Sequence, residues 1–206
     1  MISPGIPSSF FHRLVEPAKE YGGQQATSVQ VWTGRPLATF QEAAPLDVLR
    51  AVDAARAGQQ EWLKLSMDAR WRIVRRYAGL ISRHRERLVR LLQVTGGQSR
   101  FDAFDQFEDA YNSAMQFSQA MRRAMAPDTH YGSIPLISTV RREYMPLGVI
   151  AIFTLADYPI SYGPVDVLPI IVAGNGVVQF VPNQAYPAAM AMRELAIAAG
   201  VPNDMW

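Results

Sequence analysis

The run Val149-Ile150-Ala151-Ile152-Phe153 constrains the fold of this chain more than any other stretch. It follows Gly148 with none of the polar alternation of a half-exposed strand, so it predicts a strand covered on both faces, as in a parallel sheet. A helical segment over 163–173 and a second apolar run, Val177–Val181, come next, with a further helix over Pro187–Ala199. Gly174-Asn175-Gly176 supplies the turn into the second strand. Strand, helix, strand, helix in that order predicts a parallel sheet with right-handed crossovers. Sheets of this kind place their chemistry just beyond the carboxyl ends of the strands. The first strand delivers Thr154-Leu155-Ala156-Asp157-Tyr158-Pro159 to that position.

The preceding sequence predicts a different architecture. Residues 1–26 read as an N-terminal arm whose amphipathic piece, Phe10-Phe11-His12-Arg13-Leu14-Val15, packs on something else. Thr27–Trp32 alternates at period two, Thr33-Gly34-Arg35-Pro36 turns, and Leu37–Phe40 continues, which is the pattern of a β-hairpin. Helices are predicted from Pro45 to about Leu65, from Asp68 to Val94 and from Arg100 to Met125. The first two carry the apolar stripes Val48, Leu49, Val52, Ala55, Trp62 and Trp71, Val74, Tyr77, Leu80, Ile81, Leu88, Leu91, Leu92, which read as core. Thr95-Gly96-Gly97 ends the second helix, and Ile137–Tyr144 reads as a strand exposed on one face. The expected organisation is thus an arm (1–26), a hairpin, helical layer and further strands (27–148), and a βαβα segment (149–206).

Composition narrows the chemistry. With 49% hydrophobic and 18% charged residues over 206 positions, a core can be buried. Cysteine is absent, so these residues offer no disulfide, thiolate ligand or thiol nucleophile. His12, His84 and His130 have no metal-ligand spacing. No apolar run reaches the length of a membrane span, and the N-terminal residues lack the pattern of a signal peptide, so the expected location is cytoplasmic. The net charge is only +2, although arginine is concentrated between residues 70 and 90 (Arg70, Arg72, Arg75, Arg76, Arg83, Arg85, Arg87, Arg90). A regular apolar stripe interrupts these arginines, and the next helix offers Asp102, Asp105, Glu108 and Asp109. They therefore read as a solvated flank paired with that helix rather than a nucleic-acid face.

Taken in order, these landmarks resemble the N-terminal part of the aldehyde dehydrogenase superfamily, and most nearly its succinate-semialdehyde dehydrogenase branch. Val31-Trp32-Thr33-Gly34-Arg35-Pro36-Leu37 is similar to the family's early hairpin. Val52-Asp53-Ala54-Ala55-Arg56 with Trp62, then Ala69-Arg70, is similar to its first helical pair. Thr95-Gly96-Gly97 stands where the family usually has Glu-Thr-Gly-Lys. Pro146-Leu147-Gly148-Val149-Ile150 leads into the first strand of the dinucleotide fold. Leu168-Pro169 through Ala173-Gly174-Asn175 and Ala199-Gly200-Val201-Pro202 are similar to the family's Pro-Ala-Leu-Ala-Ala-Gly-Asn and Ala-Gly-Leu-Pro. The resemblance implies an α/β fold that is the N-terminal half of an aldehyde dehydrogenase: a helical layer, part of the oligomerisation strands, and the first two βα units of an incomplete Rossmann-like parallel sheet.

Its departures matter most for function. The family has Thr-Pro-Trp-Asn-Tyr-Pro at residues 154–159, and its asparagine donates to the oxyanion formed when a cysteine attacks an aldehyde. Asp157 stands there, and an ionised carboxylate can only accept hydrogen bonds. The resemblance places the remaining cofactor-contact positions at Thr154, Leu155, Ala156, Asn183 and Gln184. Where relatives bind the adenosine ribose of NAD or NADP through Lys-Pro-Ser-Glu, this chain has Phe180-Val181-Pro182-Asn183-Gln184. The family's cysteine, glutamate and pyrophosphate-binding turn are expected to lie beyond Trp206, so no cofactor is predicted for this chain alone. The expectation is a catalytically silent subunit working with another protein chain, a hetero-complex before a homo-oligomer, with no nucleic acid or membrane. The alternative is one half of a split NAD(P)-dependent semialdehyde dehydrogenase.

Overall fold

The structure, a computed structural model, describes residues 6–134 and 137–206. Helix α1 (Ser8–Val15) packs Phe11, Leu14 and Val15 fully inward. The hairpin β1 (Gln25–Val29) and β2 (Pro36–Gln41) pairs antiparallel, with Thr27 opposite Thr39. Helices α2 (Pro45–Leu63), α3 (Met67–Arg83), α4 (Arg85–Gly96) and α5 (Arg100–Ala124) form the helical layer. A second antiparallel pair, β3 (Asp128–Tyr131) and β4 (Thr139–Arg142), follows. Then come β5 (Val149–Phe153), a π-helical turn (Gly163–Val167) continuing into α6 (Leu168–Val172), β6 (Gly176–Phe180), α7 (Tyr186–Ala199) and a closing 3-10 turn (Asn203–Met205). β5 and β6 are parallel, Val149 opposite Gly176 and Phe153 opposite Phe180. One continuous core runs from Phe10 through Trp62, Tyr77 and Leu91 to Met192 and Met205. Among the described residues, no helix is long and apolar enough to cross a membrane.

Several elements differ from the sequence expectation. The long second helix divides at His84, whose φ of −99° and ψ of 14° leave the helical region. The apolar period carries across the break, with Ile81 and Leu88 both buried, so the pattern does not register it. Val48 and Leu49 of α2 are exposed; the inward face of that helix is Ala55, Gly58, Gln59 and Trp62. β3 lies between the expected helix ending at Met125 and the expected strand beginning at Ile137, where the sequence reading places no strand. β5 is not covered on both faces: Ala151 is exposed and Phe153 is 81% exposed, and both project from the face opposite Ile150 and Ile152, which are half-buried. In the π turn the Leu168 amide donates to the Gly163 carbonyl, five residues back, and Pro169 follows with no N–H to donate.

The arginines of α3 and α4 also find partners other than the α5 acids expected for them. Arg75 lies 4.8 Å from the Trp71 ring centre, Arg87 lies 5.4 Å from that of Phe10, and Arg76 donates to the Ala199 carbonyl at the end of α7. The ion pair between the α4 and α5 termini runs the other way, from Arg100 to Glu86 at 3.1 Å. Gly97 adopts φ 68° after α4, a left-handed stop, and a Cβ there would stand 2.9 Å from Val31 Cγ1.

The start of α2 is pinned by Asp47. Its Oδ2 accepts from the amides of Gly22 (2.8 Å) and Ala44 (2.9 Å), and Arg50 sits beside Oδ1. The two amides and the arginine hold its carboxyl below the usual range. A depressed folded-state pKa gives stability that is complete above the unfolded value of about 4 and is lost as pH falls through the folded value. The melting-temperature gap between the native chain and Asp47→Ala is therefore expected to be largest above about pH 5 and to close below about pH 4. Thermal scans across that range, followed by circular dichroism, measure it. A gap independent of pH would contradict the assignment.

Candidate functional site

The ends of β5 and β6 are tied together before any chemistry is considered. Thr154 donates through both its amide (3.1 Å) and its Oγ1 (2.8 Å) to the Phe180 carbonyl. Gln179 Nε2 donates to Thr154 Oγ1, and its Oε1 accepts from Trp206 Nε1 at 2.9 Å. Thr154 is buried, whereas Leu155, Ala156 and Asp157 are exposed.

Asp157 is held from both its ends. Its backbone carbonyl accepts from Gln98 Nε2 (2.8 Å) and Gln106 Nε2 (3.1 Å), which anchors the loop to the start of α5. Its Oδ1 accepts from the Tyr158 amide (2.9 Å) and the Tyr162 hydroxyl (3.0 Å). Desolvation, followed by the bond to Asp157, raises the Tyr162 phenol. The group presented at the strand tip is therefore an acceptor already engaged by its own neighbours. It holds no donor toward a developing negative charge.

The two polar residues after β6 are engaged as well. Asn183 Nδ2 donates to Glu42 Oε1 at 2.5 Å. Gln184 Nε2 donates to the carbonyls of Val29 (3.0 Å) and Thr95, joining this loop to the hairpin and to the end of α4. Both amide groups thus serve contacts within the chain. Phe180 is 57% exposed and lies 5.7 Å from Phe153, ring centre to ring centre, so the strand ends present an apolar surface. The strand ends bring Thr154, Leu155, Ala156 and Asp157 into one loop, with Asn183 and Gln184 on another.

Two residues that shape this end of the sheet escape a reading by motif. Gln106, 1% exposed, also accepts from the Ile160 amide through Oε1. Gln59, 5% exposed, donates to the carbonyls of Gly148 (3.2 Å) and Gly174 (2.8 Å). Both are polar residues inside an apolar helical stripe, Gln106 between Ala103 and Ala110 and Gln59 between Ala55 and Trp62. That position is the signal that could have marked them, since a buried amide must find partners.

The architecture is thus a helical layer with hairpin strands and a two-stranded parallel βαβα unit, one half of a doubly wound α/β protein. The sequence profile described as the aldehyde dehydrogenase family matches residues 18–206. A Mycobacterium tuberculosis protein provisionally named succinate-semialdehyde dehydrogenase [NADP(+)] 2 is 32% identical over 206 residues, covering 98% of this chain and 40% of the relative. The chain belongs to the aldehyde dehydrogenase family. Solved structures agree on the fold. An NAD-dependent benzaldehyde dehydrogenase from Corynebacterium glutamicum superposes with a TM-score of 0.81 at 22% identity, over 90% of this chain and 40% of that one. An NADP-dependent glyceraldehyde-3-phosphate dehydrogenase from Bacillus halodurans, solved with NADP, gives 0.80 at 19% identity over 89% and 39%. The chain spans about two-fifths of the length of the relatives it matches.

Proposed function

We propose that this chain is a catalytically silent member of the aldehyde dehydrogenase family that works as a binding subunit for another polypeptide. The observation that carries the reading is the state of Asp157. At the position where the family resemblance calls for an oxyanion donor, the side chain only accepts, and the Tyr158 amide and Tyr162 hydroxyl already occupy its Oδ1. A preorganised donor at such a position is worth about 3 kcal/mol of barrier, roughly a hundredfold in rate. A carboxylate opposes the same charge. The cofactor positions point the same way. Phe180 or Val181 stands in place of the ribose-binding lysine, neither side chain can donate, and the Nδ2 of Asn183 and Nε2 of Gln184 donate to Glu42, Val29 and Thr95. These residues do not fit the ribose of NAD or NADP. The exposed strands β3 and β4 and the apolar tip formed by Phe153, Leu155 and Phe180 support a role in holding a partner.

Calorimetric titration of the purified chain with NADP+ and with NAD+ tests the cofactor part of this reading. No saturable heat is expected below about millimolar nucleotide, the range in which weak contacts supply only ~4 kcal/mol. A micromolar dissociation constant would overturn it.

A further inference from the structure

Helix α3 carries a stripe of arginine whose charge its own chain does not balance. Arg72, Arg75, Arg76 and Arg83 stand at i, i+3, i+4 and i+11, with Gly79 at i+7, and all five positions are exposed. At 3.6 residues per turn these positions fall within an arc of about 100° and span about 16 Å of the helix axis. Asp68, the acid of α3, lies in its first turn, ahead of the stripe. Among the described residues, no carboxylate forms an ion pair with any of these four arginines. Glu86 of α4 pairs with Arg85 and Arg100, and Glu194 of α7 pairs with Arg13. Arg75 lies over the Trp71 ring and Arg76 donates to the Ala199 carbonyl, contacts that hold both guanidinium groups and neutralise neither. The positive field continues past the helix end. Burial, then the charges of Arg87 and Arg83, hold the His84 imidazole below its usual value.

Gly79 is a second, independent observation. Glycine inside a helix weakens it, as do like charges three and four positions apart. Packing asks for glycine where a Cβ would collide, but a Cβ on Gly79 would meet nothing within 4 Å. Among the described residues nothing requires glycine there. Its bare backbone, between Arg76 and Arg83, leaves room for another chain to come close. Guanidinium forks match carboxylates bidentately, and a helix with glutamate at the same spacing presents its carboxylates at the same rise. Single-stranded nucleic acid asks instead for exposed aromatic platforms, and Trp71 is half-buried and already taken by Arg75.

Resting on the reading of the chain as a binding subunit, we infer that the arginine stripe of α3 docks an acidic helix of a partner polypeptide. Carboxylates of that helix pair with Arg72, Arg75, Arg76 and Arg83, and its backbone crosses at Gly79.

The probe is a capped, alanine-based helical peptide of about four turns with glutamates at the spacing of the four arginines, compared with the same peptide carrying glutamine. Fluorescence anisotropy with the intact chain, at about 0.15 M salt where the screening length is ~8 Å, reads the affinity. The glutamate peptide is expected to bind at least tenfold more tightly than the glutamine peptide. Arg72→Glu is expected to weaken it about tenfold, whereas Arg35→Glu, the same charge change in the exposed hairpin turn, is expected to alter it less than twofold. Gly79→Leu places a good helix former at an open position, so the melting temperature is expected to hold or rise while affinity falls about tenfold. Four results would overturn the inference: equal affinity for both peptides, equal losses from Arg72→Glu and Arg35→Glu, unchanged binding by Gly79→Leu, or tighter binding of a short duplex DNA or of anionic lipid vesicles than of the glutamate peptide. The nucleotide titration above is independent of this experiment. Failure of the arginine stripe would leave the silent reading standing, and nucleotide binding would leave the stripe standing.

Discussion

Replacing Gly58 by alanine is expected to destabilise the protein by about 3 kcal/mol or more, against the usual sign for such a change. Glycine inside a helix normally costs roughly 0.5–1 kcal/mol relative to alanine, so an exposed Gly58 would gain from the substitution. Here α2 crosses the closing 3-10 turn so closely that a Cβ on Gly58 would stand 2.4 Å from the Met205 amide nitrogen and 2.6 Å from the Asp204 carbonyl carbon. These are backbone atoms and cannot rotate away. The helix and the turn must separate, which loosens Met205, itself fully buried. For a chain of this size that cost corresponds to a fall of roughly 6–12 °C in melting temperature, read by differential scanning calorimetry. Gly79→Ala, in α3 with nothing near its Cβ, is the control and is expected to be neutral or slightly stabilising.

Asn175→Ala carries the second large effect, about 2–4 kcal/mol. Asn175 is 5% exposed, and its Oδ1 accepts from the amides of Leu147 (2.6 Å) and Gly148 (3.1 Å), while Nδ2 donates to the Ile170 carbonyl (3.3 Å). One side chain therefore fixes the entry to β5, the end of α6 and the turn into β6. Alanine leaves two amides in a low-dielectric interior without their acceptor, which costs more than the bonds contribute net. Urea unfolding should show a lower midpoint with an unchanged slope, the mark of lost stability rather than an altered denatured state. Asn175→Asp keeps the acceptor for the Leu147 and Gly148 amides and loses the donor to the Ile170 carbonyl, so it is expected to show only part of the alanine loss. A midpoint equal to the native one would refute the three-way tie.

Asn175 also shows why the family was legible in the sequence. The Ala173-Gly174-Asn175 stretch is a local device: a left-handed glycine at φ 95° and an asparagine that bonds backbone close in sequence or across one strand. Such devices are written into adjacent residues. The βαβα order, the hairpin and the glycine stop after α4 were readable for the same reason. What sequence could not supply was anything set by distant partners. Asn183 and Gln184 follow a proline after a strand, where they read as solvent-facing turn residues or ribose contacts. Their partners, Glu42, Val29 and Thr95, lie 141, 155 and 89 positions away. Asp157 was legible as a departure, but its engagement by Tyr162 depends on the π turn leading into α6. The exposed face of β5 was misread because an unbroken apolar run looks the same whether one face of its strand is covered or both.

The silent reading separates from the split-enzyme alternative in one reconstitution. The chain is co-expressed with the remainder of the M. tuberculosis relative, the part outside the 40% that it matches, and the purified pair is assayed for NADPH formation from succinate semialdehyde. The relative's own matching segment, co-expressed in the same way, is the positive control. With Asp157 at the oxyanion position and no lysine at Phe180 or Val181, the pair containing this chain is expected to show at least a hundredfold less turnover than the control, about 3 kcal/mol of lost transition-state stabilisation. Turnover within about tenfold of the control would contradict the account and make this chain the working half of an aldehyde dehydrogenase.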